Sequence, residues 1–296
     1  MDVSTLPGSL VSAEWLANHL DDPRVQVVDI RGYVKTEDLG GGHQSAAYVA
    51  AHDDYLAGHI PGSVFVDWTV DIVDRDQEVR AQLAPASRFA GAMSQRGIGN
   101  DIDVVVVDHT GGHFATRLWW ALKYYGHDRV AVLDGGFNRW AQLGLPLTDV
   151  EPSVERRDFS ARERPSLRVE ADELLSRIGS GESIIVDARD PGQYTGAVQR
   201  GARGGHLPAA INVWAKSLFN DDGTWKQYDE LREVLSASGI QPDKPVVAYC
   251  NGGVTATAVL FALDRVGHSA WANYDGSWNE WGERMELPVV QGVDST

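Results

Sequence analysis

The residue of this chain best suited to covalent chemistry is Cys250, its single cysteine. It follows an apolar run at residues 245–249 and precedes the sequence NGGVT, after which residues 256–263 read as a helix. This order predicts a tight loop at the carboxyl end of a buried strand, the edge at which α/β sheets bind ligands. The backbone N–H groups and the helix dipole would favour a thiolate and hold an anion beside it. A buried structural cysteine is the alternative.

The loop itself supplies the predicted binding groups. We expect the backbone amides of five consecutive residues to stabilise a negatively charged sulfur, with two glycines allowing positive φ at the turn. These residues are Asn251, Gly252, Gly253, Val254 and Thr255. Cysteine-dependent phosphatases have a similar loop but need an arginine six residues after the cysteine, where this chain has Ala256. The sequence therefore argues against a phosphatase.

Composition restricts the class of protein further. The chain has 296 residues, a length that suits two domains of ordinary size. Its net charge is −16, which argues against general nucleic-acid binding and requires local groups to capture any anionic substrate. One cysteine excludes internal disulfides and multi-cysteine metal sites. The sequence has no apolar run of membrane-spanning length and no signal peptide pattern, so we expect a cytoplasmic protein without membrane partners.

Four sequence blocks occur twice in the same order. Residues 103–122 and 244–263 align without a gap at a spacing of 141, and LDGGFNRW returns as YDGSWNEW at the same spacing. Upstream, GHIPGSVFVD returns as GHLPAAINVW, and VVDIR returns as IVDAR. This spacing is far longer than that of solenoid repeats. We therefore interpret each copy as a whole domain, with His109 of the first copy at the position of Cys250.

Each copy alternates between short strands and helices. Two apolar runs in each copy are β-branched and continuous, which is typical of parallel strands covered on both faces. These runs are residues 25–30 and 104–107 in the first copy and 184–188 and 246–249 in the second. Stretches of helical length follow glycine-rich turns at 114–125 and 255–266. The predicted fold class is therefore α/β, with two domains related by duplication, each a parallel β-sheet flanked by helices.

A charged segment separates the two copies. Residues 148–167 contain two prolines and are predicted to form a linker. They divide the chain into a cysteine-free, inactive first domain at 1–147 and a catalytic second domain at 168–296. A tandem duplication can close its own interface, so we expect a monomer.

Taken together, the motifs VDIR and VDAR, the two GHxP sequences, the loop CNGGVTA and the block YDGSWNEW resemble the tandem-domain rhodanese family. These proteins are thiosulfate and 3-mercaptopyruvate sulfurtransferases, and the resemblance covers nearly the whole chain. It implies two rhodanese-like domains with five-stranded parallel sheets, of which the second is active. It also implies that the Cys250 thiolate takes the outer sulfur of a donor, becomes a persulfide, and passes the sulfur to cyanide or a thiol.

This chemistry requires neither an organic cofactor nor a metal. His109 and His113 are spaced by four residues, which could place both imidazoles on one helix face. The sequence offers no evident third ligand beside them, so we predict no metal site. The expected partners are a small sulfur donor and acceptor, with a thioredoxin-like protein as a further candidate acceptor.

The resemblance assigns two residues outside the loop to substrate binding. Arg189, which closes VDAR, matches a substrate-binding arginine of the family; a salt-bridged arginine at a strand end is the alternative. His59, in the first GHxP motif, would face the cleft between the domains with Asp54 as its partner. The alternative for His59 is a histidine that satisfies backbone groups. Arg200 and Arg203 are interpreted as charges of a solvated loop, with the alternative that one of them substitutes for a second substrate-binding arginine of the family.

The loop matches neither donor subclass of the family. Thiosulfate enzymes commonly have a basic pair directly after the cysteine, where this chain has Asn251 and Gly252. Mercaptopyruvate enzymes commonly have serine or threonine in place of Gly252 and an additional arginine in the stretch that begins at Gln193. We take thiosulfate as the expected donor and 3-mercaptopyruvate as the alternative. A non-enzymatic sulfur-carrier or interaction module is a further alternative.

Overall fold

The computed structural model of the protein describes residues 4–292, and two five-stranded parallel sheets form its framework. The strands of the first copy are β1 (Leu10–Val11), β2 (Val25–Asp29), β3 (Gly32–Gly40), β4 (His43–Ala50), β5 (Val64–Phe65), β6 (Asp103–Val107) and β7 (Val130–Leu133). Its helices are α1 (Ala13–Ala17), α2 (His52–Ala57), α3 (Ala86–Gln95), α4 (Ala115–Tyr124) and α5 (Gly136–Gln142).

The second copy repeats this pattern without the β3 and β4 strands. Its strands are β8 (Arg168–Val169), β9 (Ile184–Asp187), β10 (Ala210–Asn212), β11 (Val246–Tyr249) and β12 (Trp271–Tyr274). Its helices are α6 (Ala171–Arg177), α7 (Pro191–Thr195), α8 (Tyr228–Ala237), α9 (Ala256–Arg265) and α10 (Ser277–Trp281), with short 3₁₀ turns at Pro165–Leu167 and Ala215–Leu218. Within residues 4–292, no helix combines the length and the apolar character needed to cross a bilayer.

Both sheets have the same strand order. It runs β1-β7-β6-β2-β5 in the first copy and, through the equivalent strands, β8-β12-β11-β9-β10 in the second. Neighbouring strands pair in parallel throughout both sheets. The predicted α/β fold with two duplicated domains is therefore confirmed. Because the carboxyl ends of parallel strands share one edge, the loops after β6 and β11 lie at the ligand-binding edge of their sheets.

The elements predicted from apolar runs are present, with bounds that differ by at most one residue. They are β2, β6, β9 and β11 among the strands and α4 and α9 among the helices. The strands β6 and β11 are buried along their whole length, which explains their continuous apolar pattern. Residues 149–164 contain neither helix nor strand. On this basis we keep 148–167 as the proposed linker between the domains.

A long antiparallel hairpin formed by β3 and β4 has no counterpart in the second copy. Nearly all residues of β3 are exposed and no residue of β4 is fully buried, so the hairpin produces only a weak apolar pattern, and sequence reasoning missed it. Its tip is attached to the second domain, where Gln44 N–H donates to the Gln199 carbonyl at 2.9 Å and Gln199 N–H donates to the Gly42 carbonyl at 2.8 Å. The β3–β4 hairpin therefore spans from one domain to the other.

The two domains also meet through helices α4 and α9. The hydroxyls of Thr116 and Thr257 lie 2.9 Å apart, although these residues are equivalent in the two copies. Equivalent residues contact each other in this way at a two-fold axis. Trp119 packs beside them against Phe261 and Trp271 of the second domain, with ring centroids 5.0 and 5.3 Å away. One continuous apolar cluster contains residues of both copies, so the interface is built like a domain core.

Candidate active site

Cys250 lies in a cleft between the two domains. The cleft has a volume of about 400 Å³. It is lined by the residues of the Cys250 loop except Gly253, and from the first domain by residues that include Tyr33, Tyr48, His109 and His113. The cysteine follows β11 directly, and α9 begins at Ala256. The predicted position of the thiol, in a loop between a strand and a helix, is therefore confirmed.

The backbone of the loop is fixed by the segment that joins β12 to α10. Cys250 N–H donates to the Ser277 hydroxyl at 3.1 Å, and its carbonyl accepts from Trp278 N–H at 3.0 Å. Asn279 N–H donates to the Asn251 carbonyl at 2.7 Å. The repeated blocks CNGGVTA and YDGSWNEW thus meet at the site, and the second of them holds the first in place.

A buried ion pair from the domain interface supports the turn of the loop. Arg117 of α4 donates from Nη1 to the Asp275 carboxylate at 2.6 Å and to the Gly253 carbonyl at 3.1 Å. Its Nη2 donates to the Ala81 carbonyl at 2.8 Å, and Asn273 Nδ2 donates to the Gly253 carbonyl at 3.0 Å. Both charged side chains are almost completely buried. Sequence reasoning missed Arg117, and the available signal was a lone cation inside the otherwise apolar helix ATRLWWAL.

The amide groups of the Cys250 loop are free of protein partners. In the described part of the chain, none of the N–H groups of residues 251–255 donates a hydrogen bond to another protein group. Tyr249, the residue before the cysteine, points its hydroxyl away from the loop and donates to Asp187 at 2.7 Å. Unpaired amides in a turn at a helix N-terminus form a binding site for an anion. This loop therefore has the donors that a thiolate or a persulfide requires.

The equivalent loop of the first copy is filled by its own carboxylate. Asp108, at the position of Tyr249, accepts from the N–H groups of Thr110, Phe114 and Ala115 at 2.9, 2.8 and 2.9 Å. The first domain therefore lacks both the cysteine and a free set of amides. In the first copy a carboxylate accepts the hydrogen bonds of the loop amides. In the second copy the equivalent amides have no protein acceptor within the described residues.

Asn251 is tied to helix α7, the short helix that follows β9. Its Nδ2 donates to Gln193 Oε1 at 2.9 Å, while its Oδ1 is buried without a hydrogen-bond partner. Gln193 stands in the stretch where mercaptopyruvate enzymes commonly have an additional arginine. The structure shows that this side chain orients Asn251 and is therefore engaged inside the protein.

Arg189 reaches the cleft but is largely engaged in holding the fold. Its Nε and Nη2 donate to the Asp187 carboxylate, and Nη2 also donates to the Gly205 carbonyl at 2.6 Å. Burial opposes the charge of the guanidinium, but Asp187 and Tyr249 together outweigh burial and raise the pKa of Arg189 above its ordinary value. The guanidinium also lies 4.3 Å from the ring centroid of Trp278. Only Nη1 of Arg189 has no hydrogen bond to a protein group within residues 4–292. The predicted contact of Arg189 with substrate therefore stays a proposal, and this nitrogen is the atom that would make it.

The first copy contains the same arrangement. Arg31 donates from Nε to Asp29 and from Nη2 to the Gly58 carbonyl, and its guanidinium lies 3.9 Å above the ring of Phe137. Because this copy has no cysteine, the shared arrangement is explained by the fold.

The structure does not bring His59 to the cleft. The ring is fully buried, with Nδ1 2.8 Å from the Tyr55 carbonyl and Nε2 3.2 Å from the Val150 carbonyl. The predicted partner Asp54 instead accepts from the Tyr33 hydroxyl. The prediction that His59 binds substrate is therefore corrected, because both ring nitrogens face backbone carbonyls. His206 has the equivalent position in the second copy.

The two other histidines of interest lie in the loop before α4, so the one helix face that their spacing allowed is not formed. Burial lowers the pKa of both His109 and His113, so both rings are neutral at pH 7. No group of three or more His, Cys, Asp or Glu side chains within residues 4–292 is placed to hold a metal ion.

Gly253 is the loop position least tolerant of a side chain, and Gly253→Ala tests this directly. The residue has φ of +68°, and an added Cβ would lie 2.8 Å from the Asp275 carbonyl oxygen. We expect the variant to lose about 1–3 kcal/mol of unfolding free energy, measured by urea denaturation. Gly223→Ala is the matched control, since its φ is +82° but no atom lies within 4 Å of the added Cβ. Equal losses in the two variants would contradict the contact with Asp275.

Two sequence comparisons agree with this geometry. The Rhodanese-like domain family matches the chain twice, at residues 12–143 and 170–284. The 3-mercaptopyruvate sulfurtransferase of Escherichia coli strain K12 is 34% identical over 282 residues, covering 94% of this chain and 96% of that protein. A putative thiosulfate sulfurtransferase of Haloferax volcanii is 34% identical over 297 residues, covering 96% of each chain.

A comparison with solved structures gives the same result. The crystal structure of SseA from Escherichia coli, a 3-mercaptopyruvate sulfotransferase of rhodanese fold, superposes with a TM-score of 0.81. The two chains are 32% identical, and the match covers 91% of this chain and 98% of SseA. Both donor classes are thus found among the similar proteins.

Proposed function

We propose, since the chain belongs to the Rhodanese-like domain family of sulfurtransferases, that it transfers the outer sulfur of thiosulfate to cyanide or a thiol through a persulfide on Cys250. The observation that carries this proposal is the set of unpaired amides at residues 251–255, beside a cysteine that lines a cleft. The same loop is occupied by the Asp108 carboxylate in the first copy.

The reaction consists of two displacements at sulfur. The Cys250 thiolate attacks the outer sulfur of thiosulfate, a new S–S bond forms, and sulfite leaves with the electron pair of the bond that breaks. The acceptor thiolate or cyanide then attacks the terminal sulfur of the persulfide and releases the Cys250 thiolate. Atoms and electrons balance without an external oxidant or reductant. A negative charge remains in the loop at each stage.

Fixed dipoles of the chain stabilise this negative charge. The amides of residues 251–255 and the N-terminus of α9 provide partial positive charge that needs no rearrangement during the reaction. Arg117 and Asn273 fix the Gly253 carbonyl, so the amides on either side of it keep their directions. We expect this arrangement to stabilise the thiolate and the persulfide alike.

Thiosulfate suits the cleft because sulfite is a stable leaving group that needs no proton. Transfer from 3-mercaptopyruvate instead leaves an enolate, which must be protonated. Gly252 supplies no hydroxyl for this proton transfer, and Gln193 supplies no second cation for the donor's carboxylate. These two positions support thiosulfate as the donor.

One observation favours 3-mercaptopyruvate as the second candidate. A β-carbon placed on Gly252 would lie 3.2 Å from the Tyr48 hydroxyl, which the β3–β4 hairpin brings into the cleft. This hydroxyl accepts a hydrogen bond from Asn279 Nδ2 at 3.2 Å, and burial raises the pKa of Tyr48, which keeps it protonated at neutral pH. The first domain thus supplies a hydroxyl close to the position where the mercaptopyruvate loop carries its own.

Intact-mass spectrometry after exposure to each donor separates the candidates. We expect thiosulfate at low concentration to add about 32 Da, one sulfur atom, faster than 3-mercaptopyruvate does. If 3-mercaptopyruvate loads faster, and Tyr48→Phe slows it more than it slows thiosulfate, the second candidate replaces the first. Tyr33→Phe is the matched control, since it removes a hydroxyl of the same hairpin that is bonded to Asp54. A folded, reduced protein that gains no mass from either donor would favour a sulfur-carrier or interaction module.

A further inference from the structure

Arg200 is a charged residue of the cleft that has no carboxylate partner. It lines the cleft together with Cys250, and no salt bridge within residues 4–292 includes it. The other arginine of the cleft, Arg189, is neutralised by Asp187. Arg203, on the same loop as Arg200, donates its hydrogen bonds to backbone carbonyls at residues 281, 282, 284 and 287. The interpretation of both as charges of a solvated loop is therefore wrong, and of the two only Arg200 stays a candidate for the alternative, substrate binding.

A neutral side chain of the first domain holds Arg200 in place. Nε and Nη2 of Arg200 both donate to Gln44 Oε1, each at 3.2 Å. Gln44 lies on β4, and its backbone pairs with Gln199 beside Arg200. The amide oxygen orients the guanidinium but leaves its charge uncompensated. Nη1 donates no hydrogen bond to a protein group within residues 4–292.

The surroundings of Arg200 favour an anion. The side chain is half buried, and burial lowers its pKa, yet an arginine stays protonated at any pH at which proteins fold. The Asp190 carboxylate and Cys250 are both near enough for their charges to act on this guanidinium, although Asp190 forms no salt bridge with it. A partly buried charge without a partner is unfavourable until an opposite charge arrives. The net charge of −16 repels anions at long range, so capture must occur through a local group of this kind.

We propose that Arg200, oriented by Gln44 of the other domain, binds the sulfonate end of the sulfur donor while Cys250 attacks its outer sulfur. The proposal rests on the function proposed above, since it takes Cys250 as the atom that receives the sulfur. It assigns to the β3–β4 hairpin a role in selecting donors, because Gln44 belongs to that hairpin. Donors with an oxyanion next to the transferred sulfur are then preferred over neutral ones.

Alkylation of Cys250 tests this site without any sulfur transfer. Iodoacetate and iodoacetamide react with the same thiolate but differ in charge, so the ratio of their rates reports on a cation near the sulfur. We expect Arg200→Gln to lower the iodoacetate-to-iodoacetamide ratio about tenfold, the effect of losing one charge-assisted hydrogen bond. Gln44→Ala should lower the ratio less, and Arg200→Lys should retain part of it. Lys35→Gln is the control, because it removes a positive charge from the β3–β4 hairpin at a position outside the cleft.

Persulfide loading by thiosulfate completes the test. We expect the second-order rate constant of loading to fall about tenfold in Arg200→Gln and to be unchanged in Lys35→Gln. An unchanged alkylation ratio and an unchanged loading rate in Arg200→Gln would overturn the proposal while the sulfurtransferase function stands. A lowered alkylation ratio in a protein that thiosulfate never loads would retain the anion site and reject thiosulfate as the donor. Thermal unfolding of each variant checks that the fold is intact.

Discussion

Replacement of Cys250 by serine is expected to lower sulfur transfer at least about a thousandfold, because the nucleophile of a covalent mechanism cannot be bypassed. A serine hydroxyl is not ionised near neutral pH, so the unpaired amides of the loop have no anion to stabilise. The measurement is thiocyanate formation from thiosulfate and cyanide, together with the mass of the protein after exposure to thiosulfate. We expect the variant to show no gain of about 32 Da.

The fold provides the control for this experiment. Cys250 is 3% exposed, and serine has the same shape with a smaller terminal atom that fits the site without overpacking, so thermal unfolding of Cys250→Ser should stay close to that of the parent. Cys250→Ala removes the hydroxyl as well and should behave in the same way. Full turnover in either variant, with the fold intact, would exclude the persulfide mechanism and leave the interaction module as the better description.

Replacement of Arg117 by methionine is expected to cost about 3–5 kcal/mol of unfolding free energy, because it removes the nearest cation from the buried Asp275 carboxylate. Asp275 is fully buried, and its other close contacts are Leu83 N–H at 2.8 Å and Arg168 at 3.6 Å. Denaturant unfolding measures the loss. Transfer activity should fall as well, since Arg117 also holds the Gly253 carbonyl of the Cys250 loop.

Two further variants show whether this cost belongs to the ion pair. Arg164→Met breaks a pair with Asp128 that is exposed on both sides, so we expect a loss below about 1 kcal/mol. The double variant Arg117→Met, Asp275→Asn removes both charges and should recover part of the stability lost in the single variant. A single variant no less stable than Arg164→Met would contradict the role given to this pair.

The sequence predicted those parts of the fold that are local and buried. Strands β6 and β11 could be predicted because both faces are covered, which requires continuous apolar side chains. The duplication located the equivalent loops without any structural information. The β3–β4 hairpin was missed because its residues are mostly exposed and its attachment to Gln199 lies about 150 residues along the chain.

The candidate site was predicted in its chemistry but only partly in its contacts. Cys250 and its loop follow from residue types in one short segment. The roles of the arginines could not be predicted in this way, because the sequence identifies each guanidinium but not the groups that neutralise its charge. Arg189 was favoured for substrate binding and is paired with Asp187, whereas Arg200 was interpreted mainly as a solvated charge and lines the cleft without a salt bridge in the described part of the chain. Gln44 and Tyr48 could not be found from sequence, because they approach from the other domain.

The two copies differ in more than the presence of a cysteine, because the first copy also has the Asp108 carboxylate in its loop. This carboxylate accepts hydrogen bonds from the loop amides of the first copy, and because it is part of the chain it cannot be exchanged for another anion. A thiol introduced at His109 would meet a fixed negative charge, so the first copy is closed to anions by two independent changes. Under the proposed mechanism, each chain can therefore carry a transferred sulfur at one position only, Cys250. The loop of the first domain is occupied by its own side chain. The contribution of this domain to the site is instead the β3–β4 hairpin and one wall of the cleft around Cys250.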